Sequence, residues 1–489
     1  MRVPVYRSAR IGIAALSFVL FLSATWFVKG YEGWYAGQIG SDLLKIAAGR
    51  YTLGVLIAAA VILVLTLLFG RIYCSVVCPL GILQDLMMMF KRKFRSQRSY
   101  RVLRYSVFGF VIASLAGGFI LPLALLMPSS NFLMVENNIF RKVWQMVSEQ
   151  LEWNMPNQAL NPAVSGYLAA WGGFILLLVL ARWRGRVYCN TLCPVGALLG
   201  LFARGARFKI FMTDACVSCG ACERACKSGC IDAKAGTVNT ENCVMCLNCL
   251  DKCKFHALKF GRGKKKVVEL SVSRRNFLVT GGAVAGGVAT GLVVSKFGGR
   301  TANDKVAPVM PPGAGSREEF LRKCVSCGLC IGACKGHVLT HSSLEYGIGG
   351  ILQPYLNFKR GACEFNCTSC MDVCPCGALE KISLEEKKRL RLGVVHYNRS
   401  VCIPYVDGTD CGACSEHCPV GALEMVPYKA TKIPHVHTDL CIGCGACQNI
   451  CPVTPTPAVV VHGVSKQFLV EKPKQTPPVK LKAEEDFPF

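Results

Sequence analysis

Histidine is missing from more than half of this chain. All eight residues, His256, His337, His341, His396, His417, His435, His437 and His462, lie beyond residue 255 of 489. The apolar first half therefore cannot hold a bis-histidine haem, and no Cys-x-x-Cys-His occurs, so covalent c-type haem is excluded as well. Acidic residues are scarce where apolar ones are dense. Residues 1–300 carry 12 Asp and Glu against 36 Lys and Arg, whereas 301–489 carry 18 against 20. With 52% hydrophobic residues and a mean hydropathy of +0.36, this imbalance disfavours a soluble enzyme. The basic residues flank hydrophobic runs rather than decorate a polar domain, the pattern of the positive-inside rule and not of a nucleic-acid binder.

Charge is absent from four apolar stretches, 11–28, 53–70, 106–126 and 165–181, each close to the ~20 residues that cross a bilayer. The segment between the second and third contains Arg71, Lys91, Arg92, Lys93, Arg95, Arg98, Arg101 and Arg104 against Asp85 alone, so it is expected to face the cytoplasm, as are the N-terminus and 182–214. Segments 29–52 and 127–164 are then expected as outward loops, holding Asp42, Glu136, Glu149 and Glu152 as candidate proton acceptors. An internal repeat aligns GRIYCSVVCPLGILQDL at 70–86 with GRVYCNTLCPVGALLGL at 185–201, with nine identities in seventeen positions. It would bring Cys74, Cys78, Cys189 and Cys193 to one membrane face as a redox dithiol pair or as ligands of an additional metal or cluster. Packing cysteines before helix-starting prolines are the plainer alternative. Farther on, SRRNFLVTGGAVAGGVATGLVVS at 273–295 has the twin-arginine and weakly hydrophobic pattern of a Tat export signal, expected to stay as a fifth anchor helix.

The 30 cysteines carry the most specific signal. In the bacterial ferredoxin run, three thiolates two residues apart hold one 4Fe-4S cluster and a fourth, three residues later, serves its neighbour. Cys216, Cys219 and Cys222 then pair with Cys253, and Cys243, Cys246 and Cys249 with Cys226. Beyond the anchor, Cys324, Cys327 and Cys330 pair with Cys374; Cys363, Cys367 and Cys370 with Cys334; Cys402, Cys411 and Cys414 with Cys451; and Cys441, Cys444 and Cys447 with Cys418. Two runs are stretched, by one residue after Cys363 and by the insert 403–410 after Cys402. Cys230 and Cys376 are left over. Zinc favours separated Cys-x-x-Cys pairs rather than exchanged fourths, and cysteines this close in sequence do not bridge one another readily. Lys227 follows Cys226 where such runs often have proline, and its cation is expected to raise the potential of the adjacent cluster.

These features divide the chain into 1–210, a four-helix membrane domain; 211–262, a cytoplasmic dicluster ferredoxin; 271–299, the twin-arginine helix; 317–463, a periplasmic ferredoxin-like domain with four clusters; and 464–489, a flexible tail, with 308–315 as a Pro/Gly-rich linker. The expected fold is a polytopic α-helical membrane domain with α+β ferredoxin-like domains on both sides. Residues 1 to about 260 resemble the NapH-type membrane ferredoxin of periplasmic nitrate-reductase systems, on the strength of the two C-x3-C-P motifs and the trailing dicluster run. Residues from about 270 to 463 resemble the NapG-type periplasmic ferredoxin, so the chain is similar to a NapH-NapG fusion. About ten residues precede the first span, unlike NosR-type proteins with a large flavin-binding domain there. The resemblance implies quinol dehydrogenase activity in the bacterial inner membrane during anaerobic respiration, with quinol from the quinone pool as substrate and a periplasmic reductase or cytochrome c as acceptor. A conduit from a cytoplasmic reductant and an accessory role in maturation are the alternatives. Iron and acid-labile sulfide analysis of the purified chain is expected to return about 24 of each per polypeptide, as six four-iron sites require; about half that amount would remove one group of clusters.

Overall fold

The computed structural model describes residues 3–27, 38–47, 52–89, 94, 100–151, 164–262, 274–297 and 307–470. Its first half is helical: α1 (Val3–Phe27), α2 (Ile39–Ala47), α3 (Leu53–Phe69), α4 (Tyr73–Val76), α5 (Pro79–Met87), α6 (Arg101–Ala116), α7 (Leu121–Leu126), α8 (Pro128–Val135), α9 (Arg141–Gln150), α10 (Val164–Arg184), α11 (Val187–Thr191) and α12 (Pro194–Ala203), with α13 (Arg274–Phe297) after the first cysteine-rich unit. Among the described residues, three helices are long and apolar enough to cross a membrane, over Tyr6–Ser23, Val164–Arg184 and Arg274–Val294. α3 is apolar but only 17 residues long, closed by a Thr52 cap on Val55 N–H and by Gly70 at φ +72°. The expected span 106–126 is not one helix. Gly117 and Gly118, the latter at φ +88°, end α6, and Pro122 and Pro128 start α7 and α8; glycine and proline break a helix by backbone freedom and by the missing N–H. The expected outward loop 127–164 is helical as far as Gln150, with a π-helical turn, Glu136–Phe140, between α8 and α9.

α13 lies parallel to α6, with Ser106 Oγ 3.3 Å from Thr280 Oγ1 at one end and Gly117 against Gly291 at the other. A Cβ on Gly291 would stand 2.8 Å from Gly117 Cα, and one on Gly287 2.5 Å from the Phe110 carbonyl oxygen. The two backbones touch because neither helix has a side chain there, the means by which helices associate where lipid supplies no hydrophobic drive. α10 fixes the long dimension. Its Gly166 lies against His341, while Gly185, just past its other end, lies against the Lys227 carbonyl. The cysteine-rich units at 209–261 and 307–470 thus occupy opposite ends of one membrane-length helix.

Both units are built from two-stranded antiparallel ribbons and short helices. β1 (Lys209–Met212) pairs with β4 (Leu258–Gly261), Ile210 opposite Phe260, and β2 (Ile231–Asp232) with β3 (Thr237–Val238). In the second unit β5 (Leu339–His341) pairs with β6 (Pro354–Leu356), β7 (Leu390–Tyr397) with β10 (Val459–Leu469), and β8 (Leu423–Tyr428) with β9 (Thr431–Val436). The domain is larger than its cysteine pattern implies. β10 continues through 464–469, and Gln467 Nε2 donates to the Pro311 carbonyl at 2.9 Å. Residues 308–315 are accordingly packed rather than a free linker, with Met310 fully buried. The remainder of the expected tail, 471–489, lies outside the described residues. Gly291→Leu is expected to destabilise the bundle by about 1–3 kcal/mol through overpacking against α6. Gly281→Leu, which meets nothing within 4 Å, should leave the thermal unfolding midpoint by circular dichroism unchanged.

Candidate metal centres

The four regular cysteine runs share one backbone turn. The residue before the second cysteine is left-handed, Ser218 (φ +54°), Met245 (+54°), Ser326 (+54°) and Gly443 (+70°), and so is the residue after it, Gly220 (+68°), Leu247 (+62°), Gly328 (+76°) and Gly445 (+79°). Left-handed geometry costs a non-glycine residue about 1–2 kcal/mol, so its recurrence at matching positions marks a shared requirement to converge the thiols. After the fourth cysteine the third residue is also left-handed in five sets, at Gly229, His256, His337, Gly377 and Gly421. Two of the eight histidines are thereby explained as backbone positions. The stretched runs depart from the pattern: Thr368 and Gly412, after their second cysteines, have φ −120° and −116°.

Three exchanged sets line small pockets directly. Cys402, Cys411, Cys414 and Cys451 line one together with apolar side chains. Cys418, Cys441, Cys444 and Cys447 line a second, and Cys226, Cys243, Cys246 and Cys249, with Cys230, a third. Among the described residues no three His, Cys, Asp or Glu side chains are arranged to hold a single metal ion. Thiols around a volume suit a polynuclear group better than a zinc ion. In the other sets the thiols are near enough for their charged forms to repel one another: Cys222 has Cys253 and Cys216 as neighbours, Cys324 has Cys327 and Cys374, and Cys370 has Cys363, Cys334 and Cys367. Burial pushes the thiols of Cys324, Cys330 and Cys370 well up, so a compensating cation is needed to keep them as thiolates, which bound iron would be.

Contacts between sets define a line. Cys249 neighbours Cys222 in the first unit. In the second, Cys330 neighbours Cys370, the Cys363 N–H donates to the Cys444 carbonyl at 2.9 Å, and Cys447 neighbours Cys414. The end nearest the helices is the Cys324 loop, where Ser130 Oγ donates to the Val325 carbonyl at 2.8 Å. Each left-over cysteine accompanies a fourth thiol. Cys230 Sγ is 3.4 Å from Cys226 Sγ, and Cys376 Sγ is 3.9 Å from Cys374 Sγ. Thiol-to-sulfur bonding from Cys230 and Cys376 holds these partners down, at about 7 for Cys226 and about 6 for Cys374.

The two C-x3-C-P repeats meet as one site. Cys74, Cys78, Cys189 and Cys193 are all buried, and Cys193 has the other three as neighbours. Cys78 and Cys193 precede α5 and α12 with proline in the first turn. Arginines cross over between repeats: Arg71 Nη2 donates to the Cys189 carbonyl at 2.9 Å, and Arg186 Nη1 to the Cys74 carbonyl at 2.7 Å. Gly81 and Gly196 make room, since a Cβ would stand 2.2 Å and 2.1 Å from the Cys74 and Cys189 carbonyl oxygens. Both guanidinium groups continue to the first cysteine-rich unit. Arg71 Nη1 reaches the Glu241 carbonyl at 3.0 Å, and Arg186 pairs with Asp85 at 2.9 Å, which also pairs with Lys227 at 3.3 Å. Burial works to raise Asp85, but Arg186 and Lys227 outweigh it and hold it below the usual carboxylate range. Lys227 thus shares the single Asp85 carboxylate with Arg186 and Arg10, so its charge is only partly offset; the sequence concealed this pairing because Asp85 is remote in the chain. Of the candidate proton acceptors, Asp42 and Glu136 are fully buried, the Glu149 side chain and all of Glu152 lie outside the described residues. Arg186→Gln is expected to cost about 3–5 kcal/mol, because Asp85 stays buried with its main partner gone. Adding Asp85→Asn should recover part of that loss in a double-mutant cycle read by thermal unfolding.

Comparison with known proteins agrees with this geometry. A family described as a 4Fe-4S binding domain matches residues 51–97 and 166–210, the two repeats, and a 4Fe-4S dicluster domain matches 409–454. The methylamine utilization ferredoxin-type protein MauM of Methylorubrum extorquens is 33% identical over 36% of this chain and 82% of its own length. Ferredoxin-type protein NapG of Escherichia coli is 33% identical over 35% of this chain and 78% of its own, and ferredoxin-type protein NapH of Haemophilus influenzae 24% identical over 49% and 84%. No solved structure matches. With its cysteine sets, its apolar helices and these relatives, the chain is an iron-sulfur electron-transfer protein and belongs to the NapG and MauM family of ferredoxin-type proteins, with NapH similarity besides.

Proposed function

We propose that the chain oxidises quinol at the membrane and passes the electrons along the cysteine sets of 307–470 to a periplasmic reductase or cytochrome c. The observation that carries this reading is the line of four sets, which begins at the Cys324 loop seated on α8 and leads away from the helices to the Cys402 set. Quinol releases two electrons and two protons. Each 4Fe-4S cluster, when bound, supplies a one-electron acceptor, which is why a two-electron donor needs several in series. The chain's own part is to hold thiolates in apolar cavities, to keep water from them, and to space the sets. The residues that would hold the six clusters are the exchanged sets, with Cys230 and Cys376 donating to Cys226 and Cys374. The positive-inside pattern supports placing 209–261 in the cytoplasm and 307–470 in the periplasm.

A second reading has its own support. Arg71 and Arg186 join the four-thiol site to the Cys243 and Cys226 ends of the first unit, so Cys74, Cys78, Cys189 and Cys193 could hold a further metal or cluster on a path inward or outward. The hydrocarbon core, ~30 Å thick, is too wide for one hop, and such a site would divide the distance. Rapid anaerobic mixing of the purified chain with a reduced quinol analogue is expected to bleach the visible iron-sulfur absorption and give reduced-cluster EPR signals. Absence of reduction on any timescale, while a cytoplasmic-side donor reduces the outer sets in quinone-free proteoliposomes, would favour the conduit instead.

A further inference from the structure

Beside the line of cysteine sets, the second unit holds an open cleft. Its floor is the segment 307–309, tied on one side by the Leu356 N–H donating to the Val309 carbonyl at 2.9 Å and on the other by the Gly463 N–H donating to the Ala307 carbonyl at 2.8 Å. One wall is the β5–β6 hairpin, and the other is β10 with the short helix Ala446–Ile450 that precedes it. The space is about 480 Å³, inside the ~300–1,000 Å³ of small-molecule sites. Val309, Leu356, Phe358 and Val461 make it largely apolar, and a few polar groups enter it.

Those groups offer an acceptor on one wall and a donor on the other. Glu345 is fixed by its own loop, since its Oε2 accepts from the Ser343 and Leu344 N–H groups at 2.5 Å and 3.1 Å. The Tyr355 hydroxyl donates to the same carboxylate; burial and that neighbouring charge push Tyr355 up to about 12, so it stays a neutral donor. A carboxylate accepts about four hydrogen bonds, which leaves a position for a ligand hydroxyl. Opposite, Gln448 Oε1 accepts from the Val461 N–H at 2.8 Å, and its amide nitrogen is left to donate.

The cleft stands between the helices and the thiols. Its first wall is the element seated on the membrane-length helices: His341, at the end of β5, packs on Gly166 in the first turn of α10, and the turn Ile348–Gly350 packs on α13. Leu344, at the rim, and Ile348 are 52% and 58% exposed, an apolar approach beside those helices. Aromatic side chains separate the cleft from two cysteine sets. Phe358 lies against Gly445, the residue after Cys444, where a Cβ would stand 2.0 Å from its ring. Tyr355 meets the buried Tyr346 edge-on, with centroids 6.5 Å apart, and Tyr346 neighbours Cys324. A neutral ligand that arrives through lipid and carries a hydroxyl at one end and an oxygen acceptor at the other matches these surroundings.

We propose that this cleft binds the head group of the quinol, one hydroxyl donating to the Glu345 carboxylate and the oxygen of the other accepting from Gln448 Nε2. The assignment rests on the quinol reading above and gives it a place, beside the Cys324 and Cys441 sets and next to α10 and α13.

The test is a fluorescence-quench titration of the full chain in detergent with an alkyl hydroxyquinoline N-oxide, a quinol analogue. Wild type is compared with Glu345→Gln and with Ala307→Trp, which fills the floor of the cleft. Both variants are expected to bind about tenfold more weakly with iron content retained; for Glu345→Gln this is the loss of one hydrogen bond of about 1.4 kcal/mol. Glu345→Gln keeps an oxygen for the Ser343 and Leu344 N–H groups, so it remains decisive if Ala307→Trp does not fold. Binding by wild type with an unchanged Kd in folded Glu345→Gln would overturn this location and leave the quinol reading standing. Failure of wild type to bind the analogue, with no bleaching by reduced quinol, would remove both.

Discussion

Two guanidinium groups with no solvent exposure, Arg71 and Arg186, hold the centre of this molecule together. Each comes from one C-x3-C-P repeat and bonds to the backbone carbonyl of the first cysteine of the other, so the repeats are clasped reciprocally rather than merely packed. A buried cation is tolerated only when its donors are satisfied and its charge is matched. Here the groups that meet the two guanidiniums tie the helices to the first cysteine-rich unit. Asp85 neutralises Arg186, and the Glu241 carbonyl and Asn190 Oδ1 receive Arg71. Gly81 and Gly196 are required for the same reason, since any side chain would push the carbonyls out of the clasp.

With that joint in place, the remaining architecture follows from helix length and from thiol geometry. α10 separates the two cysteine-rich units by its own span, and the contact between α6 and α13 adds the twin-arginine helix to the same bundle without large side chains. In each unit the left-handed turns bend the chain around a cavity rather than along a strand, and fourth thiols are exchanged between neighbouring loops. That exchange is what makes the sets adjacent. A loop that lends a cysteine to the next cavity cannot drift from it, so an ordered series of redox sites is built without long secondary structure.

The boundary between the helices and the second unit is chemically unlike either side. It is buried yet polar, with Asn137, Asn138, Glu136 and His341 in a region whose neighbours are apolar. Polar groups in such a place destabilise a protein unless something meets them, and the π-helical turn and the left-handed Leu352 show backbone geometry yielding to their placement. This is the kind of local inconsistency that marks function rather than packing.

Sequence alone displayed the cysteine spacing, because thiol spacing within a tight loop is a local property: the triplets at two-residue gaps and the duplicated GRxYC frame were legible. The apolar runs at 11–28 and 165–181 and the twin-arginine segment were legible too, since length and charge exclusion act locally. It did not reveal that 106–126 is broken at Gly117 and Gly118, because mean apolarity hides a pair of glycines. Nor did it reveal that 464–469 is a strand, whose stability comes from distant partners in β7 and from the carbonyl of Pro311. The arginine clasp, the pairing of Lys227 with Asp85, and the thiol companions Cys230 and Cys376 were decided only by tertiary structure. Each joins residues whose hydrogen-bonding capacity is visible in the chain, while the partner that satisfies it, or is still required to, is set by how helices and loops close in space.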